Sequence, residues 1–185
     1  MAEVALTKQA AAHRLIMAAA LMDKNAVDPL ATHVVAASAL NLLRELVQTR
    51  GPSYQTRVLQ TGLFETATAQ IERRNSLFFT DASEEMNAVI EYVKAAILDG
   101  SISQPSDLDI VLDSHQERAL LKSVNDPYNF LKHADRDPLS TLDESDADPT
   151  NALMHAVTAY SMLFPAEALP DEVKDFLLRT GIVGS

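Results

Sequence analysis

The segment from Asp28 to Gln48 most constrains what this chain can fold into. Asp-Pro is a helix opening. Asp28 can accept a backbone N–H as an N-cap, and Pro29 suits the first helical position, where its missing N–H is no loss. Ala31, Val35, Ala39, Leu42 and Leu46 then recur at helical spacing. Val34, Leu40, Leu43 and Val47 widen that stripe. A helix apolar over so much of its girth must be covered on several sides, so it is expected to be central.

The segments available to cover it also read as helices. A first helix is expected over about Val4 to Asp23, with Ala12, Leu15, Ala19 and Met22 on one face. Gly51-Pro52 breaks the chain after the second. A third helical region runs from Tyr54 to about Phe79, with an interruption near Gly62. Asp81 and Glu84 have the spacing of a capping box. The helix they open carries Met86, Val89, Ile90, Val93 and Ile97 on one face and stops at Asp99-Gly100. Ser114 and Glu117 suggest another capping box, leading through Ala119, Leu120, Leu121 and Val124. Pro127 either starts a new helix or kinks the old one. Pro138 to Asp148 reads as an acidic loop, and Asp148-Pro149 opens a helix that turns Leu153, Ala156, Val157, Tyr160 and Phe164 inward. A short last helix follows Pro170, burying Val173, Phe176 and Leu177. No run is rich enough in β-formers to build a sheet, and no internal repeat is visible. The expectation is an all-α, irregular bundle of six to seven helices forming a single domain over residues 1–185.

Composition narrows the function classes. The chain has 185 residues, 47% of them apolar, which suits a globular domain with a sizeable core. It has no cysteine, so disulfides and thiolate metal sites are excluded. The net charge of -11 argues against broad capture of nucleic acid or of an anionic membrane. A run from Leu15 to Met22 has the apolarity of a signal-peptide core, but Glu3 stands where positive charge belongs and the run passes into a helix. No uninterrupted apolar stretch reaches the roughly 20 residues that span a bilayer. A cytoplasmic location, with no membrane partner, is therefore expected.

Side chains able to do chemistry crowd into Asn125-Asp-Pro-Tyr-Asn-Phe-Leu-Lys-His-Ala-Asp-Arg-Asp-Pro138. On a helix starting near Pro127, Asn129 and His133 share a face, with Lys132 beside it. An imidazole exchanges protons near neutral pH, an amide can orient it, and an ammonium offsets phosphate charge. The same residues also suit a plain helix end, where Lys132 and His133 complement the C-terminal dipole.

This string resembles that of a group of bacterial helical proteins carrying Asn-Phe-Phe-Lys-His-Ala-type segments. More distantly, it resembles the HEPN superfamily. That resemblance implies a helical bundle, often dimeric, and in active members a metal-independent ribonuclease of toxin and defence systems. The superfamily motif is an Arg, a polar residue, then a His four to six residues beyond the Arg. His133 matches the histidine and Asn129 the polar companion, but Asp126, Pro127 and Tyr128 occupy the positions of the arginine. Arg136 lies on the other side of His133. The resemblance thus implies first a non-enzymatic binding or accessory protein, with Asn129, Lys132, His133 and Arg136 contacting a partner or a small anionic ligand. The alternative is a ribonuclease with His133 as its catalytic group. A homodimer is expected, and RNA is a less favoured partner.

Supporting positions are expected at His33, Asn41 and Arg44 on the second helix and at His155. These are polar groups within apolar faces, and buried polar groups must find partners, usually within the protein. No cofactor is implied. His133 with Asp135 and Asp137, or Asp143 with Asp146 and Asp148, would offer metal ligands. The acidic loop lacks the Gly and terminal Glu of an EF-hand, however, and no His-x-x-x-His spacing occurs, so no metal is expected.

Overall fold

The computed structural model describes residues 6–74, 76, 78–79, 82–133, 139–165 and 167–181. Among these residues there are eight α-helices and no strand. They are α1 (Lys8–Lys24), α2 (Pro29–Gln48), α3 (Tyr54–Ile71), α4 (Glu84–Leu98), α5 (Ser114–Leu120), α6 (Lys122–Lys132), α7 (Pro149–Leu163) and α8 (Asp171–Arg179). The count exceeds the expected six to seven because the stretch around Pro127 holds two helices, not one. Leu121, at φ -118 and ψ 16, leaves the helical region and separates α5 from α6. Pro127 neither starts a helix nor ends one. It lies inside α6 with its ring buried, and burial offsets the hydrogen bond that its missing N–H forfeits.

The chain's contacts separate into two compact units. One is Met1–Gly51 with Arg118–Ser185, and the other is Pro52–Glu117.

In the first unit α2 packs against α1, α7 and α6, and α1 also packs against α7 and α8. The core consists of Ala12, Ile16, Ala19 and Ala20 from α1, Ala36, Ala37, Leu40, Leu43 and Val47 from α2, and Leu153, Ala156 and Tyr160 from α7. So many alanines let the helix axes approach closely. The buried stripe of α2 is rotated from the expected one. Ala31 is exposed, and Val35, Leu42 and Leu46 are half-buried. Ala39 of the expected stripe is buried, as are Leu40, Leu43 and Val47, which widened it. A helix apolar nearly all round leaves its orientation to its neighbours, so spacing alone did not fix the face. By length and composition α2 could cross a membrane. Here it is the central helix of its unit, with Thr32 and His33 among its buried residues.

The caps of this unit follow the sequence. Asp28 accepts the Ala31 N–H at 2.9 Å, and Asp148 accepts the Asn151 N–H at 2.9 Å. The first helix begins later than Val4, because Thr7 is its N-cap and accepts the Ala10 N–H.

In the second unit α3 packs against α4 and against a 3-10 turn at Pro105–Asp107. Leu63 and Ala67 meet Ile90, Val93 and Ala96, and Ile102 and Leu108 close the cluster. Val89, expected inside, is exposed. Gly62 does not interrupt α3. A Cβ there would lie 2.9 Å from Phe79 Cε2 and 3.3 Å from Phe78 Cδ1, so the glycine admits two aromatic rings. The helix ends at Ile71 and not at Phe79, with Arg73 at φ 57 where the chain turns out of it. Two caps differ from expectation. Ser83 caps α4 through Met86, whereas Asp81 lies outside the described residues. Asp113 and Gln116, one residue before the expected pair, form the reciprocal box of α5. Both pairs have the right residue types at the right spacing, so the sequence alone did not separate them.

Candidate functional site

Helix α6 sets the geometry of the richest polar region. It begins at Lys122, five residues before Pro127, so Asn125, Asn129 and His133 follow one another at four-residue steps along one face. Asn125 is half-buried, Asn129 is exposed and His133 is half-buried. His133 is the C-cap, its backbone N–H donating to the Asn129 carbonyl at 3.0 Å. Its imidazole makes no hydrogen bond to a described side chain of another helix. Lys132 is exposed, and its Nζ sits 5.8 Å from the centre of the Tyr128 ring, within cation–π range. Arg136 lies outside the described residues.

The polar positions of α2 and α7 converge at the other end of that stripe. Arg44 donates through Nη1 to the Asn41 Oδ1 and to the Asn125 Oδ1, both at 3.4 Å. Both are long, weak hydrogen bonds. With their oxygens turned to the guanidinium, the two carboxamides direct their NH2 groups elsewhere. The His155 imidazole is held below the ordinary histidine range, first by burial and second by the Arg44 charge. Asn41, Arg44, Asn125 and His155 therefore form one neighbourhood, built from α2, α6 and α7.

His33 is placed elsewhere. It is fully buried, with Nε2 2.9 Å from the Val124 carbonyl and Nδ1 3.1 Å from the Asp148 carbonyl. It ties α2 to α6 and to the start of α7. The structure thus joins three of the four expected supporting residues and gives the fourth to the backbone. Asn125 and Tyr128 are the members that sequence reasoning left out of the site. Asn125 was legible as the residue one turn before Asn129, once the helix start is moved to Lys122.

The acids near this region have structural partners. Asp143 accepts from the Ser145 backbone N–H and hydroxyl at 2.9 and 2.7 Å, and Asp148 caps α7. Asp135 and Asp137 lie outside the described residues. Among the described residues no group of three or more His, Asp or Glu could hold a metal ion. The chain matches no protein-family model, no curated protein and no solved structure.

Proposed function

We propose that this chain is a non-enzymatic binding protein whose α2–α6–α7 face takes a small anionic ligand of the phosphate class. The observation that carries this reading is Arg44, set between the oxygens of Asn41 and Asn125 with His155 beside it. The guanidinium supplies charge and a planar donor fork, and the NH2 groups of Asn41 and Asn125 supply neutral donors. Asn129, His133 and Lys132 continue the donor stripe along α6. Seven nitrogen-bearing side chains in a chain of net charge -11 favour an anion locally against the field of the whole protein.

Isothermal titration with inorganic phosphate tests it. Arg44→Ala is expected to weaken binding at least about tenfold, the usual scale for losing one charge-assisted contact. Binding should also tighten as pH falls. The folded protein favours neutral His155, so its share of stability is complete above the ordinary histidine value of about 6.5 and is lost as pH falls through the lower folded value. An anion beside Arg44 offsets the charge that disfavours the imidazolium. Binding then takes up a proton, and affinity rises as pH falls toward the lowered folded value of His155. Binding that is unchanged by Arg44→Ala would reject the site. Cleavage of mixed RNA in EDTA by the wild type, but not by His133→Ala, would replace this reading with the metal-independent ribonuclease.

The assembly belongs to the same proposal. α4 carries Val89 and Tyr92 on one face, exposed at 44 and 72%. These side chains suit a homodimer contact. Sedimentation equilibrium should give about twice the chain mass of 20.2 kDa. A monomer at micromolar concentration rejects that part.

A further inference from the structure

A different part of the first unit carries a second site. α1 and α7, with the short segment after α7, border a cavity of about 350 Å³, wide open to solvent, whose lining includes Thr7, Gln9, His13, Arg14, Tyr160 and Glu167. Gln9 and His13 are four apart and share a face of α1. The cavity runs from the exposed Arg14 and Glu167 to the buried Tyr160.

Its lining carries both signs of charge. The Glu167 carboxylate is clamped. One oxygen accepts from the Gln9 amide, and the other accepts from the Tyr160 hydroxyl at 2.6 Å. Burial first, and the Glu167 carboxylate second, push the Tyr160 phenol up to about 12, so at neutral pH it remains a fixed donor. A carboxylate has about four acceptor positions, and these two bonds leave room for another donor. His13 and Arg14 line the same cavity. The His13 ring lies tilted against Tyr160 at 5.8 Å. The Arg14 guanidinium has no hydrogen bond or ion pair with any described residue. Tyr160 is backed in turn by Phe164 at 5.0 Å, whose ring lies under Arg50.

A clamped acceptor and an exposed guanidinium lining one cavity are complementary to a molecule bearing both charges. We infer that this cavity binds a small zwitterion of the α-amino acid class, with its ammonium on Glu167 and its carboxylate on Arg14 and His13. A simple anion would meet Arg14 but face Glu167. A simple amine would meet Glu167 but face Arg14. Only the zwitterion satisfies both groups, and its side chain would lie against the His13 and Tyr160 rings.

The test is amide NMR of the whole chain with the common L-amino acids, added singly at millimolar concentration, and with acetate and ethylamine as half-ligands. At least one amino acid is expected to shift the amides of Gln9, His13, Arg14 and Glu167. The half-ligands at equal concentration should leave them in place. Arg14→Ala and Glu167→Gln should each weaken binding about tenfold or more. Arg14 is exposed, so Arg14→Ala keeps the fold and decides the matter if Glu167→Gln does not fold. No shift with any amino acid overturns the inference. So does an equal response to acetate, or binding unaffected by Arg14→Ala. Arg44→Ala, which tests the anion site, should not alter this titration, so the two sites stand or fall separately.

Discussion

Phe176→Ala is expected to lower the unfolding free energy by about 3–5 kcal/mol, the range for truncating a buried aromatic side chain. Urea denaturation of the whole chain measures it. Phe176 is fully buried on α8, with Val173 beside it also fully buried. Two ion pairs also link α8 to α1: Lys24 with Asp175 at 2.8 Å, and Arg179 with Asp23 at 3.0 Å. Their geometry is good, but Lys24, Asp175 and Arg179 are largely open to solvent, where ordering long side chains and salt screening cancel most of the Coulomb gain. The apolar face therefore holds α8. Lys24→Ala should move the denaturation midpoint far less than Phe176→Ala does. If the two shifts are comparable, the packing account of α8 is wrong.

His33→Ala should cost about 3 kcal/mol, combining a partly filled cavity with about 1 kcal/mol for a lost buried hydrogen bond. The imidazole is fully buried and its two nitrogens face carbonyls on separate segments, at Val124 and Asp148. A ring with a single N–H donates to one of these at a time, and the tautomer decides which. His33→Gln, which keeps a donor of similar reach, should recover about 1 kcal/mol of the loss. The second readout is local. Hydrogen exchange in α6 and in the first turn of α7 should quicken in His33→Ala more than exchange in α8. Uniform quickening would show that the ring only fills space.

Where one residue type had one physical use, the sequence was readable. Asp28-Pro29 and Asp148-Pro149 open α2 and α7 as their chemistry requires, and Asp99-Gly100 ends α4. Val173, Phe176 and Leu177 are the buried face of α8, since an amphipathic helix of nine residues has only one such face. Reading failed where several choices were locally equivalent. Asp113 with Gln116 and Ser114 with Glu117 satisfy the same cap rule one residue apart. The girth of α2 offers more than one apolar stripe. Pro127 counts as a breaker by its backbone, and only its burial keeps it inside α6.

The candidate site was legible in part for the same reason. Periodicity along α6 shows that Asn129 and His133 share a face. It carries no information on which other helix meets that face. The approach of Arg44 to Asn125 spans 81 positions. Nothing local in either segment announces it. The cavity beside Tyr160 was harder still, because Gln9 and Glu167 are 158 positions apart and neither belongs to a recognisable pattern.

The division of the first unit between two stretches of chain bears on how the protein is made. α1 and α2 leave the ribosome before the other described helices, and α2 is apolar round most of its girth. Its main partner, α7, begins only at Pro149, after the whole Pro52–Glu117 unit has been synthesised. At about 5–20 residues per second the wait lasts several seconds or more, far longer than a helix needs to form. During that interval a finished α1–α2 hairpin stands with one side uncovered. The nascent chain is therefore most exposed to aggregation, and most in need of a chaperone, before the inserted segment is complete.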